Sequence, residues 1–205
     1  MGTQANIRTA ALHLFATQGF AGVTMRKVAQ EVGVSAPALY RHYPSKDHLL
    51  WDLVKSGFDT FYQYELRALQ GKTPWERLVL LCDEYYRFAT EHADYYRVMF
   101  LMEWQPDDPA IHEAMGNHAW ITFQFLVDRM RELIDAGLFR PGVPESLAFT
   151  IWSQVHGTVS LMYCGVMEMK GVNPVWQYRE GWMATVTGLA TEKLLADIQR
   201  LVPGH

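Results

Sequence analysis

The sequence predicts an all-α protein, with a small N-terminal three-helix module followed by a larger helical body. Three observations predict it. Apolar residues recur at three- and four-residue spacing along nearly the whole chain, and no window shows strand alternation bounded by turn signals. The breakers Gly71, Gly137 and Asn173-Pro174 fall between the periodic stretches. Residues 24–46, TMRKVAQEVGVSAPALYRHYPSK, read as two short helices joined at Gly33, with a polar and basic surface on the second.

In that segment Thr24 is a good N-cap for a first helix over Met25 to Val32, with Val28 and Val32 apolar and Ala29 small. Gly33 follows at once, where a chain leaving a helix for a sharp turn needs positive φ. Val34 turns inward. Ser35 caps the second helix, and Ala36-Pro37 occupy its first turn, where N–H groups lack helical partners in any case. Leu39 is its inward anchor, Pro44 ends it, and Ser45 caps the next helix. A plain pair of packing helices with solvated charges is the competing reading. The combination of small, apolar, capping and aromatic positions favours a helix-turn-helix, which sets its second helix in a DNA major groove.

The residues left outside suit that task. Arg26, Lys27, Arg41 and Lys46 can neutralise phosphates. Thr24, Ser35, Tyr40, His42 and Tyr43 can hydrogen-bond phosphate oxygens, and Ala36, Pro37 and Ala38 are short enough to touch thymine methyl groups. Residues 1–55 hold six Lys/Arg and three Asp/Glu, a net charge of +3 in a chain of −4, which leaves −7 for the body. A basic module on an acidic body is expected when only one end meets nucleic acid.

Ser45 to about Gln70 reads as one long helix, with Leu49, Leu50, Leu53, Phe61, Tyr64 and Leu69 at helical spacing, broken by Gly71. Thr73-Pro74-Trp75-Glu76 is a capping box opening a helix to about Glu91. Asp94 caps a shorter helix through Met102, and 105–109 is a loop. A long helix follows to Ala136, stopped by Gly137. Helices over 145–170 and 175–201 complete the chain. The two cysteines, Cys82 and Cys164, read as buried thiols of a reducing cytoplasm. A redox switch is the alternative, but neither has an adjacent basic residue to lower its pKa.

The segment from Ile7 to Phe58 resembles the N-terminal domain of the TetR family of bacterial repressors. The resemblance is carried by Ile7, Ala11, Leu14, Phe15, Gly19-Phe20, Thr24, Val28-Ala29, Val32-Gly33-Val34-Ser35, Leu39-Tyr40-Arg41-His42-Tyr43, Lys46 and Leu49-Leu50. Pro37 departs from the small or polar residue often found there, and His42 and Tyr43 stand at positions often aromatic. Such departures bear on which bases are read. A second stretch, Ala136-Gly137-Leu138-Phe139-Arg140-Pro141-Gly142 with Trp152-Ser153-Gln154-Val155-His156-Gly157, is similar to a C-terminal subclass marked by a Trp and a His-Gly pair.

The resemblance implies about nine helices, a DNA-binding domain over 1–50 and an effector-binding and dimerisation domain over 51–205. It implies a ligand-responsive repressor that binds a near-palindromic double-stranded DNA operator as a homodimer. Helices of the body would then enclose an effector. Tyr85, Phe88, Tyr96, Met99, Phe100, Trp104, Trp120, Phe123 and Phe149 supply apolar surface for it, with Trp152 and His156 on one helix face, although aromatics at this spacing also serve as plain core. Glu103, His118, Gln124 and Gln154 are polar candidates. Few basic residues accompany them, so the expected effector is a small apolar or aromatic molecule. His156 suits an effector contact or a core imidazole beside a close helix approach at Gly157. Gly157, Ser160, Gly165, Gly181, Ala184 and Gly188 suit either a dimer seam or packing within one subunit.

No metal or cofactor is expected. An all-α enzyme is the other class, but a di-metal bundle needs Glu-x-x-His pairs, and none occurs; nor does a phosphate loop or nucleophile elbow. A regulator of the same fold answering to a partner protein, or to nothing, is the second alternative. No signal peptide opens the sequence and no apolar run reaches roughly 18 residues, so a cytoplasmic, nucleoid-associated protein without a membrane span is expected.

Overall fold

A computed structural model describes residues 3–201, in which every regular element is a helix, with one isolated β-bridge. The α-helices are α1 (Thr3–Gly22), α2 (Met25–Val32), α3 (Ala36–His42), α4 (Lys46–Arg67), α5 (Pro74–Glu91), α6 (Ala93–Tyr96), α7 (Pro109–Asp135), α8 (Pro144–Tyr163), α9 (Val166–Met169), α10 (Pro174–Leu189) and α11 (Glu192–Leu201). No helix among the described residues is long and apolar enough to cross a membrane. The backbone forms two compact units, residues 1–63 with 88–121 and residues 64–87 with 122–205, so α4, α5 and α7 each contribute to both.

The first unit closes around one core. Ile7, Ala11, Leu14 and Phe15 from α1 meet Val28 and Ala29 from α2, Leu39 from α3 and Leu49, Leu50, Leu53 and Val54 from α4. Their helical spacing puts one apolar stripe on each helix, and burial of those stripes holds short helices that would be marginal alone. α1 is kinked at Gly19, whose φ of 69° only glycine takes without strain. The segment after α5 differs from the expected single helix. α6 is one turn, with His92 rather than Asp94 at the N-cap position and no side-chain capping bond, and a π-helical turn over Arg97–Leu101 follows it. Val98 of that turn joins the core, while Asp94 faces His13 at 3.3 Å.

In the second unit α8 lies along α10. Ala148, Ile151, Val155 and Val159 are buried on one, and Tyr178, Trp182 and Val186 on the other. Gly181 of α10 leaves room for the Gln154 amide of α8, with which a Cβ there would collide. Gly157, expected to mark such an approach, has open space where its Cβ would be. The expected continuous helices over 145–170 and 175–201 are both interrupted. Gly165, at φ 73°, separates α8 from α9. The break at Ala190 has a tertiary cause: Phe139 and Ala190 form a β-bridge, the Arg140 amide donates to Leu189 O, and Thr191 N and Oγ1 both donate to Leu138 O. These bonds replace the helical ones. Cys82 is buried, but Cys164 is exposed, contrary to the expectation of two buried thiols.

Gly71 is required for space. It sits in extended backbone at φ −64°, but a Cβ there would lie 2.7 Å from the Arg77 amide nitrogen. Backbone cannot move aside cheaply, so Gly71→Ala is expected to cost about 1–3 kcal/mol, read as a lower midpoint in urea unfolding with an unchanged slope. An unchanged midpoint would show that the α4–α5 turn has slack.

Candidate functional site

The α2–α3 segment is built as a rigid corner. The Thr24 side chain accepts from the Lys27 amide and the Ser35 side chain from the Ala38 amide, so each helix has its N-cap. Gly33 takes φ 74° and ψ 31°. Its N–H donates to Gln30 O at 3.1 Å and that of Val34 to Ala29 O at 2.9 Å, which is a Schellman ending. Leu39, fully buried, is the one residue of α3 sunk wholly into the core.

The opposite face is open. Thr24, Arg26, Lys27, Ser35, Pro37, Tyr40, Arg41 and His42 are exposed, while Ala36 and Ala38 are half-buried between them. Lys27 is held in place by the Gln18 side-chain oxygen. The result is a short helix with a small apolar edge at its start and hydroxyl, guanidinium and imidazole groups toward its end. That arrangement can approach a groove closely and donate to phosphate oxygens.

Two residues expected on this face turn inward. Tyr43 is buried at 5 % exposure, and its hydroxyl donates to Asp52 Oδ2 at 2.7 Å. Burial first, then that bond, pushes its pKa up to about 12. Asp52 also pairs with Arg8, so Tyr43 fastens the end of α3 to α4 and α1. Lys46 is half-buried. Its ammonium donates to Phe20 O at 2.9 Å and Val23 O at 3.1 Å, and lies 3.8 Å from the centre of the Phe20 ring. It adds a charged donor to Phe20 O, which otherwise has the Val23 amide at 3.4 Å, and to Val23 O in the link between α1 and α2.

The residues expected to line an effector cavity are divided between the units. In the first unit, Phe88 and Phe100 meet Phe61, at 4.9 and 6.3 Å between ring centres, and Phe100 also meets Tyr96. Tyr96 is fully buried. Met99 covers Gly57, and Trp104 reaches the start of α4, where its indole N–H donates to Asp47 Oδ1 at 2.8 Å. Met99, Phe100 and Trp104 thus brace the core of the DNA module. Trp120 is exposed, and His118 packs edge-on to Trp51.

In the second unit, Phe123, Phe149 and Trp152 form a ring cluster with Phe123 and Phe149 4.4 Å apart, yet Phe149 is half exposed, so this cluster lies at a surface. His156 stacks near Trp152 and pairs through Nδ1 with the Tyr85 hydroxyl at 3.0 Å. Burial holds the His156 pKa below its ordinary value, which favours the neutral imidazole. Tyr85 is buried, so this pair is a polar point inside an apolar region.

Glu84, paired with two arginines, and two further charged residues absent from the expected set are also buried here. Glu65 on α4 is 3 % exposed and Arg129 on α7 is 8 % exposed. Each sits on the buried stripe of its helix, Glu65 four residues after Phe61 and Arg129 four before Leu133. A charge at an apolar position of the period is the signal that could have marked them.

Residues 7–53 match the family described as bacterial regulatory proteins, tetR family, and residues 78–175 match the tetracyclin repressor-like C-terminal domain. The HTH-type transcriptional regulator HbdR of Aromatoleum sp. (strain CIB) is 37% identical over 73 residues, covering 35% of this chain and 32% of that protein. The chain therefore spans about a third of that relative's length. The nucleoid occlusion factor SlmA of Vibrio vulnificus (strain YJ016) is 32% identical over 153 residues, 72% of this chain and 76% of that protein. Among solved structures, the transcriptional regulator FadR from Bacillus subtilis in complex with stearoyl-CoA superposes with a TM-score of 0.74 at 18% identity, covering 90% of this chain and 98% of that one. With its helix-turn-helix, its helical C-terminal domain and these matches, the chain belongs to the TetR family of bacterial transcriptional regulators.

Proposed function

We propose that this protein is a ligand-responsive repressor. It binds a near-palindromic operator as a homodimer through α2 and α3, and a small, largely apolar effector releases it. The observation that carries the DNA-binding half is the open face of α3, anchored by Leu39 and edged by Ala36, Pro37, Ala38, Tyr40, Arg41 and His42. In this reading residues 1–50 are the DNA-binding domain and 51–205 the effector and dimer domain, in a cytoplasmic protein that meets the nucleoid through its operator.

The dimer is supported by apolar side chains left at the surface of α8 and α10: Phe149, Leu161, Val175 and Trp176. Gly157 and Gly188 have open space at their Cβ positions, whereas Gly181 is used within the chain against Gln154. A dimer of such modules reads half-sites about 34–36 Å apart or a multiple of that. Control is then a two-state shift. An effector that prefers the arrangement unable to match that spacing lowers operator affinity by its differential affinity alone. α4 is the natural lever, because it begins in the DNA module and ends in the second unit.

The experiment is selection of duplexes from a randomised pool by the purified full chain, followed by titration of the selected site. A palindromic site is expected. Tyr40→Ala should weaken it by about 1–2 kcal/mol, and Arg41→Ala should weaken all sequences alike and reduce the salt slope by about 1. Recovery of no sequence, or wild-type binding by both variants, would remove α3 from the interface. The second reading, a regulator controlled by a partner protein or by nothing, draws on the long match to a nucleoid occlusion factor. It gains ground if operator affinity answers to no small molecule.

A further inference from the structure

The fold satisfies its other buried acid fully. Glu84, 8 % exposed, is paired with Arg67 at 3.0 Å and Arg87 at 2.7 Å. Glu65 and Arg129 are treated differently. Glu65 Oε2 has no hydrogen-bond partner, and neither do Arg129 Nε and Nη1. Buried polar atoms are overwhelmingly satisfied, and ionic ones are the most costly to leave alone. The two side chains carry opposite formal charges and feel one another, yet no hydrogen bond or ion pair joins them. Arg129 is also held in orientation. Its Nη2 donates to Glu132 Oε1 at 2.7 Å, and its guanidinium lies 4.6 Å from the centre of the Phe125 ring. Glu132 is shared with Arg77, whose Nε donates to Oε2 at 2.8 Å.

The charges decide which ligand chemistry these unpaired atoms suit. Arg77 and Arg129 share the one carboxylate of Glu132, so that triad carries a net +1. Glu65 is the remaining acid against it, and burial raises its pKa well above the ordinary value while Arg129 opposes the rise. The unused donors of Arg129 number three, one N–H on Nε and two on Nη1, against an acid that is easily neutralised. A planar anion accepts from such a guanidinium in fixed geometry.

We infer that α4 and α7 hold an anion anchor in which Arg129, oriented by Glu132 and Phe125 and faced by Glu65, takes the carboxylate of an otherwise apolar effector. This rests on the reading that a small molecule sets operator affinity, and it alters the expected effector from a purely apolar or aromatic molecule to one with an acid group. The carboxylate accepts from Arg129, and Glu65 takes a proton from solvent as the anion arrives, so that its O–H donates to the same oxygen pair. The Arg77–Glu132–Arg129 triad keeps its charge throughout.

The test uses the full chain and two probe series: phenylacetate, 3-phenylpropionate and decanoate, each beside its methyl ester. Binding is read by calorimetry and by release of the selected operator. At least one acid should bind about tenfold or more tightly than its ester, because a charge-assisted hydrogen bond in a buried site is at stake. Arg129→Met should lose that preference, with Arg129→Lys as the check that a folded, charged variant recovers part of it. Glu65→Gln should bind the acid at least as tightly as wild type, a direction that mere structural damage would not produce. If acids and esters bind and release the operator alike, the anchor is wrong and the small-molecule reading stands. If neither series binds or releases the operator, the anchor is rejected together with its premise. A cationic amine of the same skeleton binding better, with Glu65→Gln losing it, would reverse the assignment.

Discussion

Lys46→Met should unfold at markedly lower temperature or urea than wild type, by about 2–4 kcal/mol, because two acceptors lose a charged donor and Phe20 O is left with only the Val23 amide at 3.4 Å. The ammonium sits between Phe20 O and Val23 O and over the Phe20 ring, at the turn that joins α1 to α2. Phe20 O lies past the bend at Gly19 and keeps only a long bond from the Val23 amide, at 3.4 Å, while Val23 O lies in the link between α1 and α2. Methionine keeps the length of the stem and the contact with the ring but carries no donor. The cation–π contact adds about 0.5–1 kcal/mol or more to the loss. Urea unfolding and the salt dependence of operator binding separate this from a phosphate contact. A lysine that stapled the fold changes stability and leaves the salt slope of the folded protein nearly as it was. One that neutralised a phosphate would do the reverse, lowering the slope by about 1 with an unchanged midpoint.

Glu65→Gln should have the opposite sign at neutral pH. Its carboxyl has a folded pKa well above 4.5, chiefly through burial. The protonated form is therefore the one the fold tolerates. Stability tied to this group is fully present below about pH 4.5 and is lost as the pH climbs through the folded value. Glutamine, which never ionises, escapes the loss. The variant should melt above wild type near pH 7, on the order of 2–4 °C for each kcal/mol regained in a chain of this size, and the gap should close near pH 4. A gap that does not change between those pH values would mean that Glu65 is already neutral, or already solvated, throughout.

What the sequence made legible was whatever is written in local chemistry. Thr24, Gly33 and Ser35 announce the corner between α2 and α3 through two caps and a positive φ, and all three act as their residue types suggest. The capping box at Thr73 to Glu76 opens α5, with Thr73 Oγ1 accepting from the Glu76 amide, and Gly137 stops α7 at φ 66°. The rest depends on partners far along the chain. Nothing at Ala190 breaks a helix; Phe139, some fifty residues earlier, does so by pairing with it. Tyr43 reads as a surface aromatic until Asp52 is found beside its hydroxyl. For the candidate site, exposure of the α3 face follows from the position of one leucine. Glu65 and Arg129 sit at apolar positions of their helical period, which marks them in the sequence, but that both lie in the second unit with unpaired polar atoms depends on the packing of distant segments.

The π-helical turn over Arg97–Leu101 holds one more residue than an α-turn would. A chain lacking a single residue there closes into ordinary α-helix, and everything after it rotates by about 100° about the axis. Trp104 would then swing off Asp47 and Phe20, and the brace on the DNA module would be lost. In alignments of relatives, a one-residue gap belongs inside this stretch rather than in the loop that follows. Chains that carry the gap are expected to lack the tryptophan as well, so the two characters should be inherited together.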